Sequence, residues 1–368
     1  MIKIVDPTQI SKLKDDSLFF VKRENHVFGL FKQVKGKSKL VSKSIISLDL
    51  SVLPEGINDD LIVSTLIFKY RRDSRKAFLK IKETDGFLKF FFLFFEDKNI
   101  TKLEDSIFFD PTVRSELSNL RNTNPHFLSS NGVISLIKGL IPKTILKYIR
   151  KLGILFIDVD DNLDFLPLEI LCSEFDIVIN RILPSSSPAF NKLNTLGIFS
   201  CSWNENFEFT TLESTEVFKD AKNYFSKVDL ISHKMNLTQL ISFMNNDVVY
   251  FSSHADKEGI DLGEVKLNSS IANLIGDVPK VIIFNNCYFD GFVDMIKVFV
   301  SKGTNCIISP FSKIPDSHFT KSFIKNFFYV FSRSLDPNLS TFVSSKISKY
   351  KNLYNHLLYR VYITSKED

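Results

Sequence analysis

Short apolar runs alternate with amphipathic stretches through the second half of the chain. Two of these runs, 248–251 and 281–284, are rich in β-branched and aromatic residues and end at polar or turn residues, which predicts buried strands. The same pattern predicts further strands at 153–159, 177–183, 196–200, 228–231 and 306–310. Apolar residues at helical spacing predict helices at 212–225, 237–245, 269–275, 292–302, 318–332 and 339–350. Strands separated by helices indicate a mostly parallel sheet with helices on both faces.

In the first 105 residues, apolar and polar positions instead follow the two-residue period of β-strands. Apolar and polar residues roughly alternate in 17–21, 26–34 and 39–50, and clearer strands are predicted at 61–70, 76–82 and 87–95. Asp85 and Gly86 separate the last two, and an Asp-Gly pair supplies the positive φ angles of a hairpin turn. Because 87–95 carries Phe on both faces, it is interpreted as a central strand covered twice. The alternative is a docking surface for a partner.

Between these regions the pattern turns helical. Asp110 and Pro111 are a favourable N-cap and first residue for a helix to about 121, and 133–150 is amphipathic. Pro142 either kinks this second helix or starts another one. The predicted organisation is an N-terminal β-rich domain at 1–105, a helical connector at 106–150 and an α/β domain at 151–368.

Composition excludes several classes of function. The chain has 368 residues, 44% hydrophobic and 24% charged, and its net charge of +5 is scattered, which argues against binding to nucleic acid. The four cysteines lack the spacing of a metal site or a disulfide framework, so neither a metal nor another cofactor is expected. No signal peptide is evident, and the most apolar run is about half the length of a membrane helix. These observations predict a cytoplasmic protein without a membrane partner.

The candidate chemistry follows the two central strands. His254 comes shortly after the first and Cys287 shortly after the second. If the strands are parallel neighbours, both side chains emerge at the carboxyl edge of the sheet, where α/β proteins bind ligands. An imidazole beside a thiol can form a nucleophilic dyad, because the thiolate is the reactive species. A cysteine at a strand end is more often a buried small residue. Cys201 also ends a strand and is the alternative nucleophile, although no histidine suitably follows it.

Several blocks of sequence resemble caspase-like cysteine peptidases, the clan of caspases, separase and gingipain-like peptidases. Within that clan the chain is most similar to the CHAT peptidases, over about residues 150–350. The resemblance rests on the order and spacing of the blocks. These are Phe-Leu-Pro-Leu-Glu-Ile-Leu at 165–171, Ile-Leu-Pro-Ser-Ser at 182–186, the helix containing Glu216, the histidine and cysteine strands, the block at 299–309, and Asp316 followed by a Phe-rich helix.

The resemblance implies a caspase-like three-layer sandwich and a mechanism. Cys287 would attack a peptide carbonyl, His254 would move the protons, and the backbone N–H groups of Ala255 and Cys287 would hold the oxyanion. No third residue is needed to orient the histidine. An acid among Asp256, Asp290 and Asp316 would line the first specificity pocket and select Lys or Arg, with loop solvation as an equal alternative for each.

The resemblance also implies a dedicated protein substrate, encoded nearby, and a role in prokaryotic defence. Because residues 1–105 are outside the matching region, they are expected to contact a protein partner, such as an activator, or the peptidase domain.

Two departures keep a second function open. The family has Gly after the histidine, where this chain has Ala255, and Tyr288 directly follows the cysteine. Alanine disfavours positive φ angles, and tyrosine narrows a pocket. These changes favour the alternative, a catalytically weak or inactive caspase-like fold that acts as a protein-interaction module.

Overall fold

The computed structural model forms two compact units, Met1–Ser74 and Arg75–Asp368. It describes residues 3–5, 18–23, 26–34, 37–42, 75–96, 99–120, 131–171, 175, 177–184, 193–201, 208–289, 291–312, 318–350 and 359–365. The first unit ends at Ser74, before the boundary near residue 105 that the sequence predicts.

The first unit contains a four-stranded sheet. Its strands, in spatial order, are β1 (Lys3–Val5), β2 (Leu18–Arg23), β3 (His26–Val34) and β4 (Lys37–Ser42). The first two strands pair in parallel and the others are antiparallel. An N-terminal β-rich part is thus confirmed, while the strand predicted at 61–70 lies outside the described residues.

The second unit is built from strands and helices in alternation. Its strands are β5 (Lys76–Thr84), β6 (Phe87–Glu96), β7 (Asn99–Phe108), β8 (Ile154–Val159), β9 (Val178–Pro184), β10 (Thr195–Ser200), β11 (Lys227–Ile231), β12 (Val248–Ser252), β13 (Ala255–Asp256), β14 (Gly259–Asp261), β15 (Lys266–Leu267), β16 (Val281–Asn285), β17 (Cys306–Pro310) and β18 (Tyr359–Ser365). Its α-helices are α1 (Pro111–Asn119), α2 (Asn131–Gly139), α3 (Lys143–Ile149), α4 (Glu208–Ala221), α5 (Leu237–Phe243), α6 (Ser269–Leu274), α7 (Phe292–Ser301), α8 (His318–Ser334) and α9 (Pro337–Tyr350).

An 11-stranded sheet runs through this unit in the order β11-β10-β12-β16-β17-β18-β9-β8-β5-β6-β7. The first five of these strands are parallel to one another. Strand β18 is antiparallel to β17 and parallel to β9, and the parallel pairing continues through β8 to β5. The predicted α/β class with a mostly parallel central sheet is confirmed.

Helices cover both faces of the sheet near β12, which gives three layers. Val249 and Phe251 pack on one face with residues of α5 and α7, whereas Val248 and Tyr250 pack on the other face with residues of α4 and α8. All five residues of β12 are buried. A continuous apolar run is what such a doubly covered parallel strand requires.

The predicted hairpin between β5 and β6 is confirmed. Asp85 and Gly86 both have positive φ, 53° and 76°, as a two-residue turn of this kind requires. The expectation that β6 is covered on both faces is wrong. Leu88, Phe90, Phe92 and Phe94 are buried, whereas the alternate residues, including Phe87 and Phe95, are half-buried or exposed.

The residues assigned to a separate connector cover the inner face of this hairpin. Leu117, Ile137 and Ile145, one from each of α1 to α3, share a core cluster with residues of β5, β6 and β8. Pro142 separates α2 from α3 and caps the latter, so it starts a second helix. Strands β5 to β7 and these helices therefore belong to the same unit as β12 and β16. Within the residues described, no helix is long and apolar enough to cross a membrane.

Candidate active site

The two candidate catalytic residues follow neighbouring strands. Strands β12 and β16 pair in parallel, with Ser252 opposite Asn285 at their carboxyl ends. His254 lies two residues beyond Ser252, and Cys287 lies two residues beyond Asn285. The Ser253 N–H donates to the Asn285 carbonyl oxygen at 3.3 Å, which joins the two exits after the strands end. Both residues therefore leave the sheet at the same edge and from adjacent positions.

A small sheet that the sequence did not predict fixes the histidine segment. Strands β13, β14 and β15 form it directly after His254. The Asp261 N–H donates to the His254 carbonyl oxygen at 2.9 Å, and the Ser253 hydroxyl donates to the Asp261 carbonyl oxygen. His254 is exposed, so its backbone is held while its imidazole reaches solvent.

Ala255 sits in this sheet without the strain that a positive φ would impose. Aside from glycines, only Asp85 and Leu335 have positive φ in the part of the chain that the structure describes. The backbone groups of His254 and Asp261 form a hydrogen-bonded pair. Hydrogen-bonded and non-hydrogen-bonded pairs alternate along an antiparallel ladder. The next pair, Ala255 and Ile260, is therefore a non-hydrogen-bonded one. The Ala255 N–H thus points away from β14, toward the open side of β13.

Cys287 lies on the loop from β16 to α7. Its side chain is half-buried and packs against a core cluster together with Tyr288, whose ring stacks on Phe292 at 5.9 Å between centroids. The loop is held by the Tyr288 N–H, which donates to the Ser312 carbonyl oxygen, and by the Asn286 side chain, which donates to the Cys287 carbonyl oxygen. Gly291 closes the loop with a φ of 86°, a conformation that favours glycine.

A buried polar cluster lies beneath this edge, which we call the Glu213 cluster: Glu213, Tyr250, Ser252, Asn285 and Tyr359. One carboxylate oxygen of Glu213 accepts from the Asn285 amide at 2.8 Å, the Ser252 hydroxyl at 3.2 Å and the Tyr250 hydroxyl. The Tyr359 hydroxyl donates to the Asn285 side-chain oxygen. One helix and three strands are therefore tied together at the residue that anchors the cysteine loop.

One member of the Glu213 cluster, Tyr359, interacts electrostatically with the Cys287 thiol. Burial raises the pKa of Tyr359 well above its ordinary value, and the charges of Glu213 and Cys287 raise it further. The phenol of Tyr359 thus stays protonated and continues to donate to Asn285. The sequence suggested Glu216 on this helix, which is half-buried and pairs with Lys325 at 3.5 Å. Glu213 was missed, although its spacing of four from Val217 and eight from Ala221 places it on the buried stripe of α4.

The candidate specificity acids have different outcomes. Asp256 lies next to the histidine segment, but its carboxylate is already paired with Lys266 at 2.6 Å. The hydrogen bond from Lys266 lowers the pKa of Asp256, with a smaller contribution from His254. Asp290 and Asp316 lie outside the described residues.

The other cysteines are buried or lie outside the described residues. Cys201 directly follows β10, is 2% exposed, and donates its backbone N–H to the Ser252 carbonyl oxygen. Cys306 begins β17, at the opposite edge of the sheet, and burial raises the pKa of its thiol. Cys172 lies outside the described residues. Among the residues that the structure covers, no group of three or more His, Cys, Asp or Glu side chains is arranged to hold a metal.

A second buried cluster explains the Leu-Pro-Leu-Glu block. We call it the arginine cluster: Asp164, Glu169, Arg181 and Arg360. Arg181 donates to Glu169 at 2.7 Å and to Asp164 at 2.9 Å, while Arg360 pairs with Asp164 at 3.1 Å and with Glu169 at 3.3 Å. Both guanidinium groups also donate to the Leu166 carbonyl oxygen. The block therefore holds the segment after β8 against β9 and β18.

Comparisons with known proteins give only distant likenesses. No protein family matches the chain, and no curated protein matches it in sequence. Among solved structures it is similar to the Arg-specific cysteine proteinase gingipain R, with 10% sequence identity and a TM-score of 0.48 over 68% of this chain and 73% of that one. It is also similar to a chain of the separase–securin complex of Saccharomyces cerevisiae, with 10% identity and a TM-score of 0.49. That match covers 83% of this chain but only 31% of the other.

Proposed function

We propose that the protein is a cysteine endopeptidase in which His254 and Cys287 form the catalytic dyad. The observation that carries the proposal is the in-register parallel pairing of β12 and β16, together with the bond from Ser253 to Asn285. A half-buried cysteine and an exposed histidine, on anchored loops that follow adjacent strands, suit nucleophilic catalysis.

The chemistry follows from these groups. The Cys287 thiol gives its proton to the His254 imidazole, and the sulfur forms a bond to the carbonyl carbon of the substrate. The oxyanion accepts hydrogen bonds from the N–H groups of Ala255 and Cys287. When the tetrahedral species collapses, the C–N bond breaks and the imidazolium gives its proton to the leaving amine. Water, deprotonated by the same imidazole, then hydrolyses the thioester and restores the thiol.

The finer parts of the proposal rest on the CHAT resemblance alone. They are a dedicated protein substrate encoded nearby and a role in prokaryotic defence, while a cytoplasmic location is proposed from the cysteine pattern and composition instead. Because Lys266 already neutralises Asp256, selection of Lys or Arg before the cut would depend on Asp290 or Asp316.

The N-terminal unit has a separate proposed role, which is to contact a protein partner. A chain starting at Arg75 would test this, because it keeps every strand of the large sheet, whereas one starting at Asp110 would lose β5 to β7. Retained thiol reactivity with lost partner binding would support the role. Partner binding at full strength would contradict it.

The function is tested by labelling the intact protein with a set of peptides that end in a thiol-reactive acyloxymethyl ketone. We expect one adduct at Cys287, located by peptide mass spectrometry, and none in Cys287→Ala. Cys201→Ala is the matched control, because Cys201 directly follows β10, the neighbour of β12, yet is buried, and it should label as the unsubstituted protein does. An adduct on Cys201 that survives in Cys287→Ala would place the nucleophile elsewhere.

A second function, that of a catalytically inactive interaction module, is favoured by one observation. Tyr288 directly follows the cysteine and its half-buried ring stacks on Phe292, so the loop that carries the thiol also carries a large side chain. This function predicts that no peptide probe labels Cys287, while a small reagent such as iodoacetamide still does. Tyr288→Gly would then restore labelling by the peptides if the ring alone blocks them.

A further inference from the structure

Strand β7 forms one edge of the large sheet, and this edge carries exposed apolar residues. It is the last strand in the order of the sheet among the described residues, and it is 10 residues long. Ile100 and Phe108, near its two ends, are 66% and 58% exposed, and the neighbouring Phe95 and Phe87 on β6 are 43% and 42% exposed. Long edges with exposed apolar residues are templates for pairing with another strand.

The backbone of β7 shows which residues can make that pairing. The Phe109 N–H donates to the Gly86 carbonyl oxygen at 2.8 Å. In an antiparallel pair every second residue of a strand bonds to the neighbouring strand, so it is the odd-numbered residues of β7 that bond to β6. The even-numbered residues therefore direct their N–H and C=O groups to the open edge. In agreement, the Ser106 N–H donates to the adjacent Asp105 carboxylate at 2.8 Å and not to β6.

Charge favours one register over the two adjacent registers that this geometry also allows. In an antiparallel pair of two β7 strands, even-numbered residues must face even-numbered residues. One register places Lys102 of each copy opposite Glu104 of the other. The adjacent registers place Glu104 opposite itself or Lys102 opposite itself, and like charges directly opposite are unfavourable.

The same register brings the exposed apolar residues together. Ile100 of one copy faces Ser106 of the other and lies diagonal to Phe108, within reach of its ring. Phe87, which already contacts Phe108 edge to face at 5.6 Å, adjoins each of these two contacts. A twofold axis at Leu103 thus gives two Lys–Glu pairs at the centre and two apolar groups at the ends, which is the self-complementarity of an isologous interface.

We propose that two copies of this chain associate through antiparallel pairing of their β7 strands, which extends the large sheet across a twofold axis. Within one copy Lys102 and Glu104 form an ion pair at 2.9 Å, and both side chains are about 60% exposed. In the dimer this pair within each strand is replaced by two ion pairs between the strands. The bond from Ser106 to Asp105 is likewise replaced by a bond between strands. This interface does not depend on the proposed peptidase activity.

Charge exchange tests the proposal, with the mass of the full chain measured by light scattering after gel filtration at several concentrations. We expect a dimer. Lys102→Glu and Glu104→Lys should each weaken it by about ten-fold or more, because two attractive pairs become repulsive. Lys89→Glu is the matched control, since it changes an exposed lysine of the same face on β6 and should leave the dimer intact.

Mixing the two variants separates pairing between copies from effects within a strand. The Lys102→Glu variant has glutamate at positions 102 and 104, and the Glu104→Lys variant has lysine at both. Within each strand these like charges repel in the mixture as they do alone. Between one copy of each variant, however, two glutamates face two lysines. The equimolar mixture should therefore form a heterodimer where each variant alone is monomeric. A monomeric unsubstituted protein, or a mixture no more dimeric than its components, would overturn the proposal.

Discussion

The arginine cluster and the Glu213 cluster are both buried and both tie several strands together, yet they are built from different chemistry. The first contains two guanidinium groups and two carboxylates, which interlock through four ion pairs. In the second, one carboxylate accepts from an amide and two hydroxyl groups, all neutral. The first therefore depends on matched charge and the second on directed hydrogen bonds.

The difference separates stability from the proposed chemistry. The arginine cluster holds the segment after β8, and none of its members is on the strands that lead to His254 or Cys287. The Glu213 cluster includes Ser252 and Asn285, the last residues of those two strands. We therefore expect changes in the first cluster to alter unfolding, and certain changes in the second to alter the reactivity of Cys287 as well.

The largest effect is expected for Glu169→Ala. It leaves the buried guanidinium of Arg181 without its closest carboxylate, and breaking a buried ion pair in this way costs about 3–5 kcal/mol. Urea unfolding followed by circular dichroism measures the loss. Asp161→Ala is the control, because its pair with Lys297 is exposed, and it should change the free energy of unfolding by less than about 1 kcal/mol. Equal losses in the two variants would contradict the structural role of the arginine cluster.

A smaller loss of stability, with a functional consequence, is expected for Asn285→Ala. Removing the amide takes a donor from the Glu213 carboxylate and the acceptor from Tyr359, at a cost of about 1–3 kcal/mol. Because Asn285 anchors the cysteine loop, alkylation of Cys287 should also slow at temperatures where the protein is fully folded.

Tyr250→Phe is the matched variant for that experiment. It also removes a donor from Glu213, but Tyr250 lies within β12 and does not lead into the cysteine loop. A similar destabilisation with unchanged alkylation of Cys287 is expected. If both variants slow alkylation equally, the effect reflects general loosening and the distinction between the clusters fails.

The smallest effect is a dependence of stability on pH. Burial opposes the charge of Glu169, but Arg181 and Arg360 outweigh it and lower its pKa below the ordinary value. A carboxylate with a lowered folded-state pKa stabilises the fold above its unfolded pKa of about 4.3, and this stabilisation is lost as the pH falls through the folded value. Melting temperatures should thus be steady from neutral pH to about pH 5 and fall below it. In Glu169→Gln the melting temperature should fall less steeply below pH 5. An unchanged slope would show that other groups cause the loss of stability in acid.

Local patterns were enough to predict most elements of the second unit. The bounds of β17 were predicted as observed, and β12 and β16 extend one residue beyond their predicted ends, because short apolar runs between polar residues identify buried parallel strands well. The turn at Asp85 and Gly86 was also predictable, since few residue pairs tolerate its φ angles.

What the sequence could not supply was long-range pairing. Nothing local shows that β5 pairs with β8, and therefore that residues 76–108 belong to the large sheet and not to an N-terminal domain. The short strands β13 to β15 carry too few residues for a period. The arginine cluster joins Glu169 to Arg360, and the Glu213 cluster joins Glu213 to Tyr359, across separations that no sequence period reveals.

The central claim is that His254 acts on Cys287, and the rate at which iodoacetamide alkylates Cys287 in the intact protein tests it most directly. We compare the unsubstituted protein, His254→Ala and the control His233→Ala, whose histidine is exposed and follows β11, the terminal strand of the sheet two places from β12. The account predicts that His254→Ala slows alkylation at neutral pH by about ten-fold or more, because the thiolate loses its proton acceptor, and that His233→Ala leaves the rate unchanged. Equal rates in all three proteins would show that the imidazole does not act on the thiol, and would contradict the dyad.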